Sequence, residues 1–272
     1  MSIVSKLYQA FKNIEFNEED HIYIDRRDGF KYTSVTTLKK EYQPPVDWEY
    51  WKVYKLLQRI GAVKYRKDLI KHRCFEFEEK IIEFEHASDL VDIAEITREW
   101  KEKADKGTQW GSYVHKYIED GFKNKFPKDR LDSVDEFILY KGREMSPIGL
   151  EVVVGDREIG LAGQFDGLFY NKKGKLILRD TKTDTEFKKA FEGARHLPPF
   201  DKVLASTMGG YQIQLSLYKH IIEYNTSVKI DAMYIDHFNK DMLYTEYKVP
   251  AIKIDYEAFR RNLNTKRSNT GA

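Results

Sequence analysis

The stretch "GQFDGLFYNKKGKLILRDTKT", residues 163–183, carries two aspartates, Asp166 and Asp180, with Lys182 two places beyond the second. It reads as two β-strands joined by a tight "NKKG" turn that brings the second strand back beside the first. Acid-x-Lys alone says little, since it recurs at Glu78/Lys80, Glu99/Lys101, Glu186/Lys188 and Glu246/Lys248. Asp180 differs in its setting. It ends a run, "KLIL", too apolar for a solvated edge, and strand alternation puts Leu176, Leu178, Asp180 and Lys182 on one face. A buried charge is costly unless it is paired or bound to a metal, so either a structural salt bridge or a cation site is expected there. Asp166, flanked by Gly163 and Gly167, lies where a returning strand would let the two carboxylates converge. Paired carboxylates repel unless a proton or a cation sits between them, and hard ions such as Mg²⁺ or Mn²⁺ prefer such oxygens.

Working outward, "LEVVV", "IGLAGQFDGLFY" and "KLILRDTKT" form an antiparallel meander over residues 150–183, opened by Glu151, which could line the same site or cap an edge. Residues 107–123 spell an amphipathic helix, with Trp110, Tyr113, Val114, Tyr117, Ile118 and Phe122 on the core face. His115 falls at the boundary of that face, with Gly111 one turn before it leaving room for a neighbour or a ligand, and Glu119 further toward solvent. A boundary histidine most often just hydrogen-bonds locally. Downstream, residues 184–209 make a long Gly- and Pro-containing connection of the kind that is usually functional or mobile. The helix "GYQIQLSLYKHIIEY" then sets Tyr211, Gln214 and Tyr218 at i, i+3, i+7, where a buried glutamine needs a hydrogen-bond partner. Two strands around Asn239-Lys240 and a short helix, "DYEAFRRNL", complete the pattern. Upstream, "HIYIDRRDGFKYTSVTTL" signals a hairpin at Asp28-Gly29, and residues 47–106 read as several helices containing a basic run (64–73) and an acidic one (75–85).

Bulk properties narrow the classes. At 41% hydrophobic and 14% aromatic residues, 272 positions can bury a core. Forty-six basic residues nearly cancel 44 acidic ones, so charge balance makes no case for nucleic acid. The single cysteine, Cys74, excludes an internal disulfide and a cysteine-held iron–sulfur cluster. The N-terminus reads as neither signal nor transit peptide, and no eighteen apolar residues run together, so a soluble cytoplasmic protein without membrane contact is expected.

The succession Gly111–Glu119 (G-x-x-V-H-x-x-I-E), a strand opened by Glu151, G-x-F-D at 163–166, D-T-K-T at 180–183 and Y-x-x-Q-L-x-x-Y at 211–218 resembles the RecB-like branch of the PD-(D/E)xK nucleases. The upstream "SVT" segment followed by a Trp-containing helical stretch is also similar to mitochondrial genome-maintenance exonucleases and their phage relatives. The resemblance implies a restriction-endonuclease-like α/β fold, a mixed central sheet flanked by helices with an inserted helical subdomain. The chain would divide into an N-terminal β-hairpin segment (1–46), a helical subdomain arching over the site (47–106), a nuclease core (107–262) and a flexible tail (263–272). His115, Asp166, Asp180 and the Thr181 carbonyl would hold one or two Mg²⁺ or Mn²⁺ ions, with Glu151 beside them. Lys182 would orient the attacking water or stabilise the transition state, while Tyr211, Gln214 and Tyr218 would lie near the substrate. The basic run, Lys188, Lys189 and Arg195 are surface candidates for tracking the backbone of a single strand. The implied activity is metal-dependent DNA cleavage, as an exonuclease on single strands or ends, in replication, recombination or genome maintenance, and in a bacterial host cell if phage-encoded. Replication or recombination proteins would be partners. A catalytically inactive binder on the same fold, a site-specific endonuclease and an enzyme acting on small phosphorylated molecules are the competing readings.

Overall fold

The structure is a computed structural model that describes residues 1–18, 20, 22–60, 72–77, 80–86, 90, 93–184, 187–190, 193–256, 259–261 and 263. The chain divides into two compact units, Met1–Pro44 with Gly111–Ala272, and Pro45–Trp110. In order, the elements are α1 (Ile3–Phe11), β1 (Ile14–Asn17), β2 (Ile22–Asp25), β3 (Lys31–Ser34), α2 (Val35–Glu41), α3 (Trp48–Arg59), β4 (Cys74–Phe77) and β5 (Lys80–Glu83). There follow α4 (Ile93–Phe122), α5 (Asp132–Glu144), β6 (Met145–Asp156), β7 (Leu161–Asn171), β8 (Leu176–Lys182), α6 (Thr207–Thr226), β9 (Ala232–Phe238) and β10 (Tyr244–Val249).

The larger unit is a mixed sheet of eight strands in the order β1-β2-β3-β7-β8-β9-β10, with β6 also paired to β7. Local chemistry sets its corners. Gly29 takes φ +74° in the β2–β3 hairpin, and the Asn171 side chain accepts the amides of Lys173 and Lys175 across the β7–β8 turn, where Gly174 takes φ +70°. Ser34 ends β3 and at once caps α2, its hydroxyl accepting the Thr37 amide at 2.9 Å. Ser206 caps α6 in the same way.

Strand β7 organises the rest. One edge pairs along its length with antiparallel β6. The other pairs first with parallel β3, at Leu161 and Ala162, and then with antiparallel β8, from Gly167 to Tyr170. Among the described residues, 163–166 meet no strand on that second edge, because β3 has already turned into α2 and the β7–β8 pairing stops at Gly167↔Arg179.

Both faces of the sheet are covered. On one, Leu161, Phe165, Leu168, Leu176 and Leu178 pack with Leu38 of α2 and with Ile213, Leu217 and Ile221 of α6. On the other, Val114, Tyr117 and Ile118 of α4 and Phe137 of α5 meet Phe238 of β9. All positions of β8 up to Thr181 are buried, as expected of a central strand with both faces packed.

The smaller unit joins α3 to the first part of α4 through a cluster of Tyr50, Val53, Leu56, Leu57, Ile93 and Ile96. Arg59 reaches Glu99 at 2.6 Å and Glu95 at 3.2 Å. The reading of 47–106 as helices is corrected here by the antiparallel pair β4–β5, registered from Cys74↔Glu83 to Phe77↔Lys80. Its period-two alternation, "FEFE", was masked by a Glu- and Lys-rich composition typical of helices. Most of the basic run 64–73 and nearly all of the polar tail lie outside the described residues. Trp110 and Tyr113, assigned to the core face of their helix, are each 39% exposed. No described helix is long and apolar enough to cross a membrane.

Arg179, on the face of β8 opposite the α6 layer, is 4% exposed and grips Asp236, 2% exposed, through Nε (2.7 Å) and Nη2 (2.5 Å). Tyr244 donates to the same carboxylate at 2.7 Å, and Glu246 joins Arg179 to Lys141. Removing one member of a buried pair leaves the other charge without compensation. Arg179→Met is therefore expected to lower unfolding free energy by about 3–5 kcal/mol in urea titrations. A loss within error of zero would show that the network adds nothing to stability.

Candidate metal centre

The unpaired stretch of β7 is where the charges collect. Asp166 lies just before Gly167↔Arg179, the last β7–β8 pair, and Thr181 lies two residues past it on β8. The Thr181 amide donates not to a main-chain carbonyl but to Asp166 Oδ2, at 2.6 Å. That bond ties the carboxylate to the point where the strands part. His115 comes in from α4, its Nδ1 3.2 Å from the same Asp166 oxygen and 3.9 Å from Glu151 Oε1. Gly111, one turn earlier, permits this approach, since a Cβ there would sit 3.2 Å from Thr183 Oγ1.

Glu151 is held by its own backbone. It takes φ +50°, a left-handed conformation costing a non-glycine residue on the order of 1–3 kcal/mol, and lies opposite Asp166, bracketed by Leu150↔Gly167 and Val152↔Phe165. The kink inverts the faces of both strands. Val152 and Phe165 pack into the α6 layer, whereas Leu150 and Gly167, two residues on, line a small cleft with Ile118 and Phe122 of α4. Regular alternation would have kept each pair on one side. Gln164 secures the kink by donating to the Glu151 carboxylate (2.9 Å) and carbonyl (3.2 Å).

One ligand atom each from His115, Glu151 and Asp166 lies within 4.8 Å of the others, the spacing a metal ion requires. Asp180 stands outside that grouping. It is 1% exposed, its Oδ2 pairs with Lys182 Nζ at 2.5 Å, and its Oδ1 is buried with no hydrogen-bond partner. The salt bridge anticipated for this strand end is thus present and engages one of the two carboxylate oxygens.

Charge crowding shows in the proton affinities. Burial lifts the Asp180 carboxyl, and the charge of Asp166 lifts it further against the partial offset of Lys182. Glu151 is raised by burial, with Asp166 adding to it against the pull of His115. For Asp166 burial works upward, but His115 and Lys182 outweigh it and hold the group below the ordinary range. His115 is the counterpart. Burial disfavours its charged form, and Asp166 and Glu151 overcome that to bring it up to about 10. The proton on His115 occupies the place a metal would take.

The residues fit a divalent ion on two counts: a mixed imidazole and carboxylate donor set, and beside it a buried carboxylate with one oxygen lacking a hydrogen bond. The Thr181 N–H is given to Asp166. Glu119 is taken up with Lys116 and Lys123.

Helix α6 closes the other side. Tyr211 hydrogen-bonds Asp184, and its ring lies 5.1 Å from Lys182 Nζ. Gln214, 5% exposed, finds its partner in Lys39, whose Nζ donates to Oε1 at 2.9 Å. Tyr218 is only 2% exposed and packs in the core, so its expected place on a substrate-facing surface is corrected: its hydroxyl fills the space left by Gly163, where a Cβ would approach within 2.8 Å. Lys188 and Arg195 are exposed on the 184–206 connection, with Arg195 bound to the Lys202 carbonyl. Lys39 carried no functional signal in the sequence beyond its place, four residues after Val35 of the "SVT" segment. Burial and the charge of Lys182 bring it down to about 8.

No protein-family model matches the chain, and no curated protein matches it in sequence. Among solved structures it is similar to a crystal structure from Eubacterium rectale described as "Putative exonuclease", at 18% identity and a TM-score of 0.38, over 85% of this chain and 76% of that one. A likeness at that level fixes no chemistry.

Two outcomes are expected. Gly163→Ala forces the Tyr218 ring to move and is expected to cost about 1–3 kcal/mol of stability, with Gly163→Ala/Tyr218→Leu costing less than the sum of its parts in denaturant titrations. Because the folded state raises the His115 pKa, its contribution is complete below the ordinary value of 6.5 and disappears as pH rises toward about 10. In EDTA, an NMR titration should find this imidazole protonated well above pH 6.5, and Asp166→Asn should bring it below that value, since burial is then less opposed. An unshifted His115 in the parent protein would contradict the arrangement.

Proposed function

We propose that this chain is a metal-dependent nuclease of the PD-(D/E)xK type, in the RecB-like branch, that hydrolyses phosphodiester bonds in DNA. The observation that carries the reading is Asp180: a carboxylate 1% exposed, paired with Lys182 through Oδ2, under the charge of Asp166, and with Oδ1 buried and lacking a hydrogen bond. Two buried carboxylates, Asp166 and Asp180, with one ammonium beside them are only partly compensated, and a cation resolves the remainder. His115, Glu151 and Asp166 would hold a Mg²⁺ or Mn²⁺ ion, with Asp180 adding negative charge beside it. When bound, the ion supplies an acidified water and neutralises charge growing on the phosphate.

The chain's own groups do the remainder. Lys182, whose ammonium is kept protonated by Asp180 and Asp166 despite burial, presents a fixed positive charge to the phosphate oxygens. Asp180 aims that ammonium. The Thr181 amide holds Asp166 in place, and Gln164 keeps Glu151 from rotating away. Exonuclease action on single strands or ends, and a part in replication, recombination or genome maintenance, follow from the motif order shared with that branch.

The test uses single- and double-stranded DNA labelled at either end, incubated with Mg²⁺, Mn²⁺ or EDTA. Wild-type cleavage is expected with either ion and not in EDTA. Asp180→Asn should nearly abolish it, and Lys182→Ala should reduce kcat about 10²–10³-fold, the range for losing one preorganised charge-stabilising donor. Cleavage surviving EDTA and both substitutions would defeat the mechanism, and binding without cleavage under every metal condition would make the chain an inactive binder.

A further inference from the structure

Lys39 is brought to the rim of the site by α2, and it is an ammonium without a carboxylate of its own. One of its three N–H bonds goes to the amide oxygen of Gln214, and its nearest other partner is the face of Tyr211, 5.0 Å from the ring centroid. Asp180 and Asp184 act on it only as charges at a distance, and among the described residues it forms no ion pair. Lys182 lies 5.1 Å from the centroid of the same ring. Two ammonium groups that share one aromatic ring, both half-buried, repel, and Asp180, paired with Lys182, offsets only part of that repulsion. The arrangement mirrors the carboxylates: negative groups gather where a cation would sit, and beside them positive groups gather where an anion would sit.

Gln214 makes the placement deliberate. It is buried and its amide oxygen accepts from Lys39, so turning the amide would break that bond and leave the oxygen buried without a partner. The ammonium is thereby fixed in direction while N–H bonds remain to be filled. A flexible surface lysine would have neither property.

We propose that Lys39 is a positioning residue that grips a non-bridging oxygen of a backbone phosphate, aligning the strand against Lys182 and the metal centre. This rests on the nuclease reading and adds to it a residue outside the motifs shared with that branch. On a single strand, taking away one lysine–phosphate ion pair lowers the slope of log affinity against log salt by about 0.7. A purely structural role for Lys39 would leave that slope alone.

The experiment measures anisotropy of a labelled oligothymidylate with the full chain in EDTA, over a series of potassium chloride concentrations, for wild type, Lys39→Met and Lys39→Arg. The slope should become shallower by about 0.7 in Lys39→Met and be kept in Lys39→Arg. If Lys39→Met does not fold, a single uncharged methylphosphonate linkage walked along the oligonucleotide should reproduce the loss at one position with the wild type. At that position Lys39→Arg should behave as wild type. In cleavage assays Lys39→Met should raise KM more than it lowers kcat. An unchanged slope in Lys39→Met, an equal loss in Lys39→Arg, or no sensitive linkage overturns the proposal. If the wild type still cleaves in a metal-dependent way, only Lys39's role falls; if it neither binds nor cleaves, the nuclease reading falls too.

Discussion

The Asp166 carboxylate accepting the Thr181 amide is the interaction on which the rest of the site depends. A β-ladder normally consumes such an amide with a main-chain carbonyl. Here a side chain takes it two residues past the last cross-strand pair, at the point where β7 has parted from β3 and is no longer paired to β8. The bond therefore closes the open edge of the sheet and sets a negative charge inside it. His115 and the kinked Glu151 are arranged around that charge, and Asp180 is forced to share its field.

The backbone has been shaped to the charges. A left-handed glutamate within a strand is unfavourable by itself, but it lets β6 and β7 exchange faces within two residues, so that apolar side chains serve opposite layers above and below the site. Without the inversion, the carboxylates would point into one of the two cores. Gly111 and Gly163 matter for the same reason: each removes a side chain where another element must come close, Thr183 in one case and Tyr218 in the other. The Arg179–Asp236 pair shows the contrast. It is equally buried, but each charge is hydrogen-bonded, and it asks for no further partner.

Much of this was legible in the chain. Period-two alternation and turn residues marked β7, β8 and the pair around Asn239-Lys240, and the placement of Asp180 at the end of an apolar strand identified it as a costly charge. Such signals are local, because they depend on repeat length and on residues that tolerate tight turns. The same local rules failed at β4–β5, where charge-rich composition concealed alternation, and at Tyr218, where helical spacing gave a face without saying what would cover it.

Residue spacing alone was enough to name the chemical groups and most of the strands that carry them, since each strand and helix writes its period into adjacent positions. Which groups would meet was a different matter: Lys39 and Gln214 are 175 residues apart, and Asp180 is drawn to Lys182 rather than into the triad of His115, Glu151 and Asp166. Those outcomes depend on how strands cross, where an edge opens and which buried oxygen is left without a hydrogen bond, and such long-range competition between burial and pairing has no period to read.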